Sequence, residues 1–131
     1  MALPNHPFPK TWLQDVAISE NYKIAKLHYS FLCDEELLLI NQQFLKHDTY
    51  TDVITFDYNQ GELVIGEIYI SLDRIRENAL LLQKTFDHEF YRILVHGLLH
   101  LLGYKDKNPK DKQQMTSKED YYLSLLTYTG R

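Results

Sequence analysis

Apolar and polar positions along the chain follow two periods, and the switches between them predict most of the elements. Residues 10–20, KTWLQDVAISE, read as a helix, and Lys26–Phe31, KLHYSF, alternates as a half-buried strand does. Asp34 next opens a helix over DEELLLINQQFLK. Its first turn is acidic and its end carries a lysine, as the helix dipole favours, and Leu37, Ile40, Asn41 and Phe44 follow helical spacing. Asp52–Phe56, DVITF, is β-branched and aromatic; Asp57-Tyr58-Asn59-Gln60-Gly61 interrupts it, and Glu62–Ser71, ELVIGEIYIS, resumes as a longer strand, so a hairpin-like pair is expected. Ser71 then caps a helix reaching about Lys84, with Leu72, Ile75, Ala79 and Leu82 recurring at three and four. A second helix runs from Phe86 to Leu102 and stops at Gly103, and a last one starts at Lys110 or Thr116 and ends near Thr127. Strands first and most helices later predict an α+β arrangement, and without repeats or a low-complexity linker residues 1–131 read as one domain.

Composition narrows the setting. A chain of 131 residues with 44% hydrophobic content can bury a proper core without staples. Cys33 is the only cysteine, which rules out an intramolecular disulfide and suits a reducing compartment. The start, MALPNHPFPKTW, is broken by prolines and has no continuous apolar core of a signal peptide, and no stretch approaches the roughly 20 apolar residues that span a bilayer. The expected location is therefore the cytoplasm, with no membrane partner. Eighteen acidic against fourteen basic side chains, a formal charge of -4, exclude whole-surface attraction to nucleic acid. Any RNA contact must be local. Lys105, Lys107, Lys110 and Lys112, interrupted by Asp106 and Asp111, form the one basic run, and on composition alone a solvated lysine-rich loop is the better account of it.

The chemistry converges on RILVHGLLHLLGYKDK, residues 92–107. His96 and His100 are one helical turn apart, so both imidazoles leave the same face with Cα atoms about 6 Å apart. On a helical projection Glu89, Arg92, His96 and His100 share a polar stripe about 80° wide, which alone would be the solvated side of an amphipathic helix. The continuation changes that reading. Gly103 ends the helix three residues after His100, the chain can turn back, and Asp106 brings a carboxylate. The spacing HxxxHxxGxxD thus supplies two nitrogens and an oxygen for one divalent ion, zinc being the best match, with a fourth position left for water. It is similar to the metzincin proteases, but where those carry a general-base glutamate this chain has Gly97, which disfavours peptide hydrolysis. Glu67 and Glu89 are the acids that could act as a base from elsewhere. His6, His28, His47 and His88 lack ligand spacing and read as surface or packing residues.

At these residues the chain resembles the YbeY family of bacterial endoribonucleases, whose signature HGxLHLxGYDH is met by His96-Gly97-Leu98-Leu99-His100-Leu101-Leu102-Gly103-Tyr104. Asn41, Phe44, Asp48 and Thr51–Phe56 resemble the family's LNxxYRxxDxPTDVLSF, and Gly66–Ser71 resembles its GDIxIS strand. The resemblance implies a small mixed sheet packed against several helices, with the metal site at the C-terminal end of a central helix. It implies a metal-dependent endoribonuclease that matures ribosomal RNA, at the 3′ end of the small-subunit RNA, and takes part in ribosome quality control with ribosomal or ribosome-associated proteins. Two positions depart from the family. Its third histidine is Asp106, which keeps a ligand but makes the site harder and more anionic. Its arginine falls at Leu45, so Lys46 beside it and Arg92 on the histidine stripe become the candidates for gripping phosphate, with Lys105 and Lys107 as further RNA contacts. A non-catalytic, metal-containing assembly factor and a zinc hydrolase of another substrate remain open alternatives.

Overall fold

A computed structural model describes residues 8–45 and 52–126. Its elements run α1 (Lys10–Ser19), β1 (Lys23–Leu32), α2 (Asp34–Ile40), a π-helical turn (Asn41–Leu45), β2 (Val53–Asp57), β3 (Leu63–Ser71), α3 (Leu72–Leu82), α4 (Phe86–Leu101) and α5 (Pro109–Ser124). The strand order is β1-β3-β2, with β1 parallel and β2 antiparallel to the central β3. This is the small mixed sheet of an α+β fold, and the expected hairpin-like pair is β2 and β3.

The differences from the expected boundaries have local causes. β1 begins earlier than its alternation suggested because a bulge between Ile24 and Lys26 switches the inward parity: Ile24 pairs with Val64 on the covered face, then Leu27, Tyr29 and Phe31 face inward beside Gly66, Ile68 and Ile70. The helix expected over residues 34–46 ends its α-helical part at Ile40 and widens into the π-turn. Asp34 is not its N-cap. Cys33 occupies that position, with its N–H donating to the Glu36 carboxylate at 2.9 Å. The Asp34 carboxylate instead accepts from Ser71 Oγ at 2.6 Å and from Arg74 Nε at 3.2 Å, tying α2 to the start of α3. Ser71 does cap α3, accepting the Arg74 N–H, and Gln83 ends it in the left-handed region at φ 57°. Asn108 caps α5 and Pro109 takes its first position, so that helix starts where a side-chain acceptor meets a preset φ.

Helix α4 is the central element. Leu94, Val95, Leu98 and Leu99 have no exposed surface, and they form the core with Val64, Ile68 and Ile70 of β3 and Trp12, Leu13 and Val16 of α1. At about 25 cal/mol per Å² of apolar surface removed from water, this burial is the main force holding the layers together. The approach of α4 to the sheet needs residues without side chains on both partners. A Cβ on Gly97 would lie 2.9 Å from Ile68 Cγ2, and one on Gly66 would lie 2.8 Å from Leu101 Cδ1 and 2.9 Å from the Phe56 carbonyl oxygen. Asn59, in the β2–β3 connection, adds a polar link by donating from Nδ2 to the Leu101 carbonyl at 2.7 Å.

Because a backbone oxygen cannot move aside as a side-chain methyl can, Gly66→Ala should lower unfolding free energy by about 1–3 kcal/mol in chemical denaturation. A folded variant with an unchanged midpoint would mean that the Phe56 carbonyl does not crowd Gly66 this closely.

Candidate metal centre

Thr85 caps α4, its hydroxyl accepting the His88 N–H at 3.0 Å, and the helix then carries its polar stripe from Glu89 to His100, about three turns. That stripe does not face open water. α5 and the α4–α5 connection cover it, leaving the His96 side chain 16% and the His100 side chain 24% exposed. The connection is set by how α4 ends. Gly103, at φ 105°, donates its N–H to the His100 carbonyl, while Tyr104 donates to the Leu99 carbonyl, both at 3.0 Å. These are the two hydrogen bonds of a Schellman motif, and they reverse the chain so that Asp106 returns over the histidines.

The three predicted ligands meet. His96 Nε2 and His100 Nε2 are 3.1 Å apart, and Asp106 Oδ2 is 3.4 Å from each. Tetrahedral coordination with bonds of roughly 2.0–2.1 Å places neighbouring ligand atoms about 3.3 Å apart, so this triangle has the edge lengths of three corners of such a site. The remote ring nitrogens agree with that use. His96 Nδ1 lies 2.5 Å from Glu119 Oε2, and His100 Nδ1 lies 3.0 Å from the Tyr104 carbonyl. A carboxylate and a carbonyl only accept, so both Nδ1 atoms carry the proton and both Nε2 atoms turn toward the carboxylate as donors to an ion. The donor set therefore fits a divalent metal.

Electrostatics separates the two rings. Burial disfavours charge on His96, but the hydrogen bond and charge of Glu119 outweigh it, with Asp52 and Asp106 adding, and its pKa is raised. For His100 burial is again the largest cause, the neighbouring His96 pushes the same way, and its pKa is lowered. Without an ion, His96 is therefore the ring of the pair that takes up an added proton more readily. A cation at the three donor atoms would replace that proton.

The triangle borders a cleft of about 280 Å³ between α3, α4 and α5. Asp52, Glu89, Asp106 and Glu119 line it against two cations, Arg92 and Lys112. Arg92, foreseen on the histidine stripe, is in the cleft wall. Its guanidinium is held by Glu119 Oε1 at 2.5 Å and Asp120 Oδ1 at 2.6 Å. Lys105 and Lys107 flank Asp106 on the reversed segment, and both are exposed. Glu67 is not brought to the centre. Its neighbours Gly66 and Ile68 face α4, so strand alternation turns Glu67 to the opposite side of the sheet, where it accepts a hydrogen bond from the Tyr69 hydroxyl at 3.0 Å. Glu89, the other acid considered as a base, lines the cleft with His96. Lys46 lies outside the described residues, as do His47 and Thr51.

Glu119 is the functional residue that sequence reasoning missed. A signal for it existed: Met115, Glu119 and Tyr122 are the buried residues of α5, so an ionisable side chain stands in the apolar stripe of an otherwise polar helix. The Tyr104 carbonyl had no comparable signal, because any residue offers that atom.

Comparison with known proteins gives one family. The profile described as Endoribonuclease YbeY matches residues 8–127. Endoribonuclease YbeY of Cytophaga hutchinsonii is 51% identical over 120 residues, covering 91% of this chain and 84% of the relative. The Flavobacterium psychrophilum protein of the same name is 49% identical, over 88% of this chain and 82% of its own length. Among solved structures, the solution structure of TM1509 from Thermotoga maritima superposes with a TM-score of 0.65 at 31% identity, covering 88% of this chain and 76% of that one.

Two measurements test the arrangement around His96. In metal-free protein, NMR titration should place the His96 midpoint above the ordinary imidazole value and that of His100 below it. Glu119→Gln should bring His96 down and weaken divalent-metal affinity by roughly 10–100-fold. An unchanged affinity in a folded variant would remove Glu119 from the support of the centre.

Proposed function

Since this chain belongs to the endoribonuclease YbeY family, we propose that it is a metal-dependent endoribonuclease of ribosomal RNA, using one zinc ion held by His96, His100 and Asp106. Its substrate in this reading is the 3′ end of small-subunit ribosomal RNA, its place the cytoplasm, and its partners ribosomal or ribosome-associated proteins. The observation that carries the proposal is the triangle of two Nε2 atoms and one carboxylate oxygen, with edges of 3.1, 3.4 and 3.4 Å, at the wall of an open cleft. Three protein ligands leave a fourth coordination position free, the arrangement of a catalytic rather than a structural zinc site. The relatives are named endoribonucleases, which favours cleavage over a non-catalytic assembly role.

A divalent ion held there supplies Lewis acidity to water and to a phosphodiester oxygen. The residues of the chain do the rest. Glu119 and the Tyr104 carbonyl keep protons on the Nδ1 atoms and so keep both Nε2 atoms directed at the ion. Arg92 is placed to take a phosphate oxygen. Its pairing with Glu119 is buried, but Asp120 is 60% exposed, so water screens the second ion pair and phosphate can exchange for it. Lys105, Lys107 and Lys112 then offer backbone contacts along the rim. The four cleft carboxylates disfavour RNA, and a divalent cation held by His96, His100 and Asp106 would offset part of their charge. Among the described residues, no helix is long and apolar enough to cross a membrane.

Metal-loaded protein should cleave a small-subunit precursor RNA, and His96→Ala should reduce cleavage to the level of metal-free controls. Elemental analysis should find zinc in the wild type and lose it in Asp106→Ala. RNA binding without cleavage by fully loaded protein would instead support the assembly-factor reading. Arg92→Ala should raise KM about tenfold or more and flatten the salt dependence of RNA binding by about one phosphate contact. Unaltered KM and salt slope would take Arg92 out of the phosphate site.

A further inference from the structure

The segment that carries Asp106 has no regular secondary structure between the end of α4 and the start of α5, so something must hold it in place. Its backbone is held by the Schellman bonds. The side chain of Tyr104 is held by a residue 84 positions earlier. Tyr104 is gripped at both ends: its carbonyl accepts from His100 Nδ1, and its hydroxyl donates to Glu20 Oε1 at 2.7 Å. The second carboxylate oxygen, Oε2, accepts from Lys118 Nζ at 3.1 Å and from the Tyr122 hydroxyl. Lys118 also stands over the Tyr104 ring, 5.6 Å from its centroid.

Glu20 closes α1, and its backbone N–H bonds to the carbonyls of Val16 and Ala17, so the carboxylate projects from a fixed point. Its side chain is 13% exposed. Taking a carboxylate that far out of water is costly unless donors meet it, and here three do. Those donors belong to the two structures that orient the histidines. Tyr104 orients His100 directly, and Lys118 and Tyr122 are on α5, the helix that brings Glu119 to His96.

We propose that Glu20 is a positioning residue for the metal centre, locking Tyr104 and α5 together so that both imidazoles and Asp106 keep the spacing of a single coordination sphere. The inference rests on the metal-binding reading above. It makes Glu20 act through Tyr104 and α5, without contact to the ion or the substrate.

The test compares zinc affinity, by competition with a chromophoric chelator, and the visible spectrum of the cobalt-loaded protein. The proteins are the wild type, Glu20→Ala, Glu20→Gln, Tyr104→Phe and Trp12→Phe, each verified as folded and measured well below its melting temperature. Trp12→Phe removes a different buried link between α1 and α5, the Trp12 Nε1 donation to the Tyr122 carbonyl at 2.8 Å, and leaves the Glu20–Tyr104 hydrogen bond in place. Glu20→Ala and Tyr104→Phe should raise the zinc Kd about tenfold or more and shift the cobalt bands. Glu20→Gln, which keeps an acceptor for Tyr104, should recover part of that loss, and Trp12→Phe should be less stable with a wild-type Kd. Should Glu20→Ala fail to fold, Tyr104→Phe and Glu20→Gln decide. Equal affinity and spectra in the folded variants overturn the role of Glu20 alone, as does an equal loss in Trp12→Phe. A wild type that binds no zinc overturns the metal reading and this inference with it.

Discussion

The reversal of the chain after α4 is the constraint on which the site depends. Gly103 adopts a φ of 105°, a conformation that costs a side-chain-bearing residue energy, and the two hydrogen bonds around it aim the next residues back along the helix. With a continued helix, the residue at 106 would project away from the imidazoles and the two Nε2 atoms would face water. With the reversal, an acid only six residues beyond His100 closes a triangle of ligand atoms.

A second requirement is that the imidazoles do not rotate. Ring orientation is fixed from behind, by a carboxylate on His96 and a backbone carbonyl on His100, and each of those is fixed in turn by the packing of α5 and of the segment at Tyr104. Glu119 has two duties, because its other oxygen binds the Arg92 guanidinium. The ligand His96, the cleft cation Arg92 and the helix α5 are therefore joined through one carboxylate. Such a network is strong while every member is satisfied, and among the described residues no fully buried side-chain nitrogen or oxygen lacks a partner.

The sheet contributes by position rather than by chemistry. Gly66 and Gly97 let α4 settle against β3, which fixes the height of the histidine stripe relative to the cleft wall at Asp52. The same alternation that turns Gly66 toward the helix turns Glu67 away from it. ELVIGEIYIS is apolar at both parities, so its pattern cannot tell which face the helix covers, and the far side of the sheet held a residue that spacing alone left eligible as a base.

What the sequence determined by itself is whatever depends on near neighbours. Helical periodicity placed His96 above His100, Gly103 marked the stop, Ser71 marked a cap, and the return to Asp106 needed no partner element. The bulge in β1 and the π-turn after α2 were not legible, since each follows from pairing or packing with a distant segment. The same holds for the supports of the site. Glu119 and Glu20 reach the centre only because α5 and α1 pack where they do; the stripe of α5 could mark Glu119 as facing inward, but neither acid shows in one dimension which donors will meet it. Short-range geometry chose the ligands, and burial of the shared core chose what holds them still.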